Sequence, residues 1–166
     1  MNLQIDRNTK VFNTPIEIGL RVLFILNKFH PKPLSLESLI YLDYFLIHSQ
    51  DIKDGPPSLH PKYPFRSTEI IIKREIIQTG LKYLLSKELI QVQLSNNGIK
   101  YTITNLTSHV LILFESTYAN KLQKLCDWLY KRFGDNDEDS LKTIVDTNIE
   151  KWGGEFINES KFRSAQ

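Results

Sequence analysis

Two short alternating runs, LIQVQL (89–94) and IKYTIT (99–104), flank the step Asn96-Asn97-Gly98, and this feature constrains the fold most. An Asn-Gly turn between alternating residues is a strong hairpin signal, because Asn and Gly tolerate the positive φ that tight hairpin turns require. Three helical patterns precede the hairpin. Three helices followed by a two-stranded hairpin is the element order of a winged helix-turn-helix, with the hairpin as the wing.

The helices are marked by their ends. Thr14, Pro15 and Glu17 place an N-cap, a first-turn proline and a capping-box acid ahead of IEIGLRVLFILNKF. That run is apolar nearly all round, so the helix is expected to be buried on more than one side. Pro31 and Pro33 end it. Ser35 caps the second pattern, LESLIYLDYFLIHS, with Glu37 in its first turn. Leu36, Leu39, Ile40 and Ile47 share a face there, and Asp43 falls on the same face. Ser67 opens a third helix to about Leu85, with Ile70, Ile77, Leu81, Leu84 and Leu85 as its buried side. Between the second and third helices lies SQDIKDGPPSLHPKYPFR (49–66), which holds four of the chain's seven prolines. A proline-rich loop of that length inside a domain is often functional.

After the hairpin, one long helix is expected from about Thr107 to Phe133. Its seam is Leu111, Phe114, Tyr118, Leu122, Leu125 and Leu129. At about 1.5 Å per residue it would be about 40 Å long. Gly134 ends it, the acidic stretch DNDED follows, and residues 140–152 form a last amphipathic helix. The fold class read from this order is α+β, mostly helical. A winged-helix domain over 1–104 is followed by a helical arm over 105–166.

Charge and cysteine content narrow the function. Net charge is +2. Residues 1–66 hold eight Lys/Arg against six Asp/Glu, residues 67–104 five against three, and residues 105–166 eight against ten. This is too little positive charge for strong phosphate-driven binding by the chain alone. The single cysteine, Cys126, allows neither a disulfide framework nor a CxxC zinc pair, and the expected compartment is the cytoplasm. The longest apolar runs, Val22–Leu26 and Val110–Phe114, are far short of the roughly 18 residues of a membrane span. The first 13 residues carry no signal-peptide pattern.

The stretches NTPIEIGLRVLFIL (13–26), LDYFLIHSQD (42–51) and GPPSLHPKYPFR (55–66), with Glu69 and Arg74, resemble the middle component of bacterial ABC-three-component systems. The GPPSLHP loop is the most distinctive element, and the resemblance covers about residues 13–104. It implies a subunit acting between an SMC/Rad50-like ATPase and an effector, often a nuclease. Lamassu-type antiphage complexes are similar. The expected role is a non-catalytic adaptor without cofactor or metal, meeting DNA only through the complex.

Candidate residues fall into three sets. Asp43 needs a partner if it is buried. Arg66, Arg21 and His60 are the candidates, so that Asp43, His60 and Arg66 anchor the proline-rich loop. Leu59, Tyr63 and Phe65 on the loop, with Tyr118, Trp128 and Tyr130 on the long helix, are expected to meet partners. Arg74, Gln78 and Lys82 on the third helix, with Lys100 on the wing, would touch DNA if the chain were instead a winged-helix regulator. A third alternative, an enzyme, rests on His48, Asp51, Asp54 and His60. Their spacing matches no standard metal motif, and the chain has no GxxxxGK[ST] phosphate loop.

Overall fold

The computed structural model describes residues 14–60 and 66–152, with side chains placed at 14–60 and 73–148. Among these residues there are six α-helices and one small antiparallel sheet, so the chain is α+β and mostly helical. Helix α1 is Pro15–Phe29. Strand β1 (Leu34–Ser35) and helix α2 (Leu36–Ile47) follow, then a 3₁₀ turn at Ser49–Asp51 and helix α3 (Arg66–Ser86). Strands β2 (Ile90–Ser95) and β3 (Gly98–Ile103) precede α4 (Asn105–Leu111), α5 (Thr117–Phe133) and α6 (Glu138–Trp152).

Two of the three expected N-caps form, while the third helix begins at Arg66, one residue before its expected cap Ser67. The Thr14 hydroxyl accepts from the Glu17 amide at 3.2 Å, and Ser35 accepts from the Ser38 amide at 3.1 Å. The Glu17 side chain does not fold back to complete a capping box, because it is engaged by Arg21 and Tyr118. The hairpin pairs Ser95 with Gly98 and Ile90 with Ile103, and Gly98 has φ 106°. A third strand, β1, adds to β3 through Leu34 opposite Tyr101, giving the order β1-β3-β2.

The single helix expected over 107–133 is two helices. Leu113 and Phe114 amides turn back to Val110 and Leu111 carbonyls at 3.1 and 3.2 Å, tightening and ending α4. The Ser116 hydroxyl then accepts from the Ala119 amide at 3.1 Å and starts α5 afresh. A serine that offers the backbone a cap competes with helix continuation, and here the cap wins.

Helix α5 is packed into the body of the molecule. Ala119, Leu122, Leu125, Cys126, Leu129 and Phe133 are buried against α1 and α2. Glu17 meets Tyr118, Lys28 meets Asp127 and Phe29 meets Tyr130, so α1 and α5 run parallel. One continuous hydrophobic core joins Ile18, Phe45 and Leu81 to Leu129, Leu141 and Val145. Residues before and after position 104 both contribute to it. Helices α1 and α3 cross at Gly19 and Gly80, where a methyl added to Gly80 would lie 3.1 Å from the Gly19 Cα and the Pro15 carbonyl.

Candidate functional site

Six ionisable side chains gather where α1, α2 and α3 meet beneath the proline-rich loop. Asp43, from the middle of α2, has no exposed surface. Its Oδ1 accepts from Arg21 Nε at 2.7 Å and its Oδ2 from Arg21 Nη2 at 3.1 Å. Lys73 of α3 brings its Nζ to 3.3 Å from Oδ2 and lies over the Tyr44 ring at 5.4 Å. The remaining Arg21 nitrogen donates to Glu17 Oε1 at 3.1 Å, and the Tyr118 hydroxyl from α5 donates to the same oxygen at 2.9 Å. His60 Nε2 stands 3.6 Å from that oxygen. Two carboxylates thus face two cations, with a tyrosine and a histidine closing the edge.

The pKa directions follow from this packing. Burial opposes the ionisation of Asp43, but Arg21 and then Lys73 outweigh it and hold the carboxyl well below its ordinary value. Burial likewise disfavours the charge on Arg21, and the Asp43 carboxylate more than compensates, raising it. Glu17 is pushed up by burial despite Arg21. His60 is driven down to about 4 by burial and by the Arg21 charge, against the opposing pull of Asp43. Burial also raises Tyr118.

The loop is held by its own backbone. The buried Ser49 hydroxyl donates to the Pro56 and Pro57 carbonyls at 3.0 and 3.3 Å, and the Gln50 amide donates to Ser58 Oγ at 3.1 Å. Gly55 has no alternative here, since a Cβ at this position would stand 1.9 Å from the Ser49 carbonyl oxygen. Asp54 is exposed, whereas Asp51 is half-buried. Among the described residues no three His, Cys, Asp or Glu side chains converge as a metal site requires.

The sequence candidates are therefore dispersed. Asp43 engages Arg21 and Lys73, and His60 joins the same network through Glu17. The Arg66 side chain, Tyr63 and Phe65 lie outside the described residues. Leu59 is half-buried against the core. Tyr118 is half-buried and committed to Glu17, and Trp128 is half-buried edge-on to Phe133. Tyr130 is exposed and meets Phe29 edge-on at 5.3 Å. On α3, Gln78 and Lys82 are exposed, while Arg74 is ion-paired to Glu37 of α2. Lys100 is half-buried. Lys73 was not a sequence candidate, although it stands four residues before Ile77 on the buried stripe of α3. A lysine on an apolar stripe is the signal that could have found it.

A family model described as MC2, ABC-three component (ABC-3C) system Middle Component 2, matches residues 11–155. The chain belongs to this family. No curated protein and no solved structure matches it. No described helix is long and apolar enough to cross a membrane.

Proposed function

We propose that this middle component is a non-catalytic adaptor that links an SMC/Rad50-like ATPase to an effector nuclease in a cytoplasmic antiphage complex. One observation carries the reading: the side chains best suited to chemistry are spent on one another. A general base must reach a proton on a substrate. Asp43 reaches Arg21 and Lys73, with no surface of its own. What such a network can do is fix the mutual placement of three helices and a loop, as a rigid connector requires.

In this reading α1, α2, α3 and the β2–β3 hairpin act as a winged helix, with α4 to α6 as a helical extension docked onto it. DNA is met together with the partners. Tyr130, exposed on α5, is the leading partner anchor in this reading, and Tyr63 and Phe65 of the loop are proposed to bind a partner as well. Co-expression with the ATPase and effector subunits tests the proposal. A ternary complex that needs this chain for ATPase and effector to associate is expected. Association of the other two without it would refute the adaptor role.

The second reading is a winged-helix DNA-binding regulator. Its support is the exposure of Gln78 and Lys82 one turn apart on α3. The ion pair that holds Arg74 to Glu37 reduces the cation density of that face. Direct binding of the isolated chain to duplex DNA, falling steeply with added salt, would favour this reading.

A further inference from the structure

Among the described residues strand β2 lies at the edge of the sheet, and the register of its hydrogen bonds fixes which groups point outward. The Thr104 amide donates to the Leu89 carbonyl at 3.1 Å, which makes Leu89 and Thr104 a hydrogen-bonded pair next to the Ile90–Ile103 register. Antiparallel ladders alternate, so Gln91, Gln93 and Ser95 bond inward to β3. The amides and carbonyls of Ile90, Val92 and Leu94 consequently face the side of β2 on which no described strand pairs.

Natural edges are usually blunted by lysine, proline, bulges or a covering element. Strand β2, IQVQLS, carries no charge, proline or glycine, and its pairing with β3 has no bulge. The hairpin also outruns the helices beneath it. Ile90 is buried, but Val92 is 42% exposed and Leu94 83%, with Ile99 across from Leu94 at 54%.

The strand is also its own complement. Ile-Gln-Val-Gln-Leu reads the same by residue class in both directions about Val92. A two-fold axis at Val92 would set Val92 against Val92 of a second copy, Ile90 against Leu94, and Gln91 against Gln93. Every outward-bonding residue then meets another, every glutamine meets a glutamine, and no charges oppose. An isologous contact needs this self-complementarity. We propose that two copies of this chain associate through antiparallel β2–β2 pairing about Val92, joining their sheets into one of six strands. Five residues a side bury far less than the roughly 1,200–2,000 Å² of a stable interface. The dimer is therefore weak on its own and appears with rising concentration. The proposal is independent of the adaptor reading.

Sedimentation velocity of the full chain over a concentration series tests it. Movement from monomer towards dimer is expected, and Val92→Lys, which sets like charges opposite each other at the axis, should abolish it while far-UV circular dichroism stays unchanged. A cross-linking arm reads the register. Opposed hydrogen-bonded residues lie about 5.5 Å apart at Cα, within disulfide range, and the one native cysteine, Cys126, is buried. Val92→Cys should form a covalent dimer on mild oxidation, whereas Gln93→Cys, offset from its own symmetry mate, should not. A chain that stays monomeric at every concentration overturns the proposal. So does a dimer that survives Val92→Lys, since it would use another face. If Val92→Lys instead removes a partner subunit from a chain that is monomeric alone, the edge belongs to that partner and self-pairing is refuted.

Discussion

Arg21 and Asp43 meet side-on in the centre of the molecule, Nε to Oδ1 at 2.7 Å and Nη2 to Oδ2 at 3.1 Å, with neither side chain exposed. The pair joins α1 to α2, and Lys73 extends it to α3. A two-point guanidinium–carboxylate contact fixes orientation as well as distance. Removing one member leaves the other charged and dry. Asp43→Ala is expected to cost about 3–5 kcal/mol, read as a lower urea midpoint. Lys73→Met should cost less, because Arg21 still holds the carboxylate. An unchanged midpoint for Asp43→Ala would show that the network does not hold the fold.

Acid should weaken the fold before Asp43 itself titrates. His60 in the folded state has its pKa lowered from 6.5 to about 4. Between those values the unfolded chain binds the proton more readily, so stability rises with pH and falls as pH drops from about 6.5 to about 4. Asp43, held below its ordinary value, adds a further loss in more acidic solution. Glu17 is raised and so acts in the opposite direction near its own titration. His60→Gln should flatten the slope between pH 6.5 and 4. Thermal unfolding across that range checks this, and a slope that is the same in the variant would remove His60 as its source.

The α1–α3 crossing makes an asymmetric prediction from two glycines. Alanine in place of glycine inside a helix gains about 1 kcal/mol in propensity. At Gly19 the added methyl would sit 3.6 Å from the Gly80 Cα, which is ordinary contact. At Gly80 it would press at 3.1 Å on backbone atoms of α1, which cannot rotate away. Overpacking of this kind costs about 1–3 kcal/mol. Gly19→Ala should be neutral or stabilising, and Gly80→Ala destabilising, by calorimetry. Equal effects of the two changes would contradict the close crossing.

Much of this fold was legible because its signals are local. Thr14 and Ser35 cap where their side chains reach the backbone three residues on, and Asn96-Asn97 turns the hairpin, with Gly98 taking the positive φ at the start of β3. Strand β1 was not legible, since two residues between Pro33 and a helix carry no periodicity. The break at Ile112–Ser116 was hidden by an apolar seam that continues across it, and only the Ser116 cap gives it away. Asp43 was recognisable as a buried acid, with Arg21 among its candidate partners. The second cation, Lys73, and the links from Glu17 to Tyr118 and His60 depend on helix packing across 101 and 43 residues of sequence, which no local pattern encodes. The Gly19–Gly80 approach is of the same kind.

The adaptor and regulator readings place function on different helices, α5 and α3, and paired substitutions separate them. On α5, Tyr130 is 43% exposed beside Lys28, and an exposed large aromatic next to a cation suits an interface anchor. Truncating it leaves the buried face of α5 intact and loses the edge contact with Phe29, at a cost of about 0.5–1.5 kcal/mol. On α3, Gln78 and Lys82 can change without touching the core. Under the adaptor reading, Tyr130→Ala should weaken capture of the ATPase or effector subunit about tenfold or more, the effect of losing about 1.4 kcal/mol of binding energy. A Gln78→Glu, Lys82→Glu double change should leave capture intact. Titration calorimetry with the purified partner reads both, and far-UV circular dichroism confirms that both variants fold. Capture that survives Tyr130→Ala but fails with the α3 pair would move the partner surface to α3. If capture is unaffected by either and duplex binding by the isolated chain disappears with the α3 pair, the regulator reading replaces the adaptor.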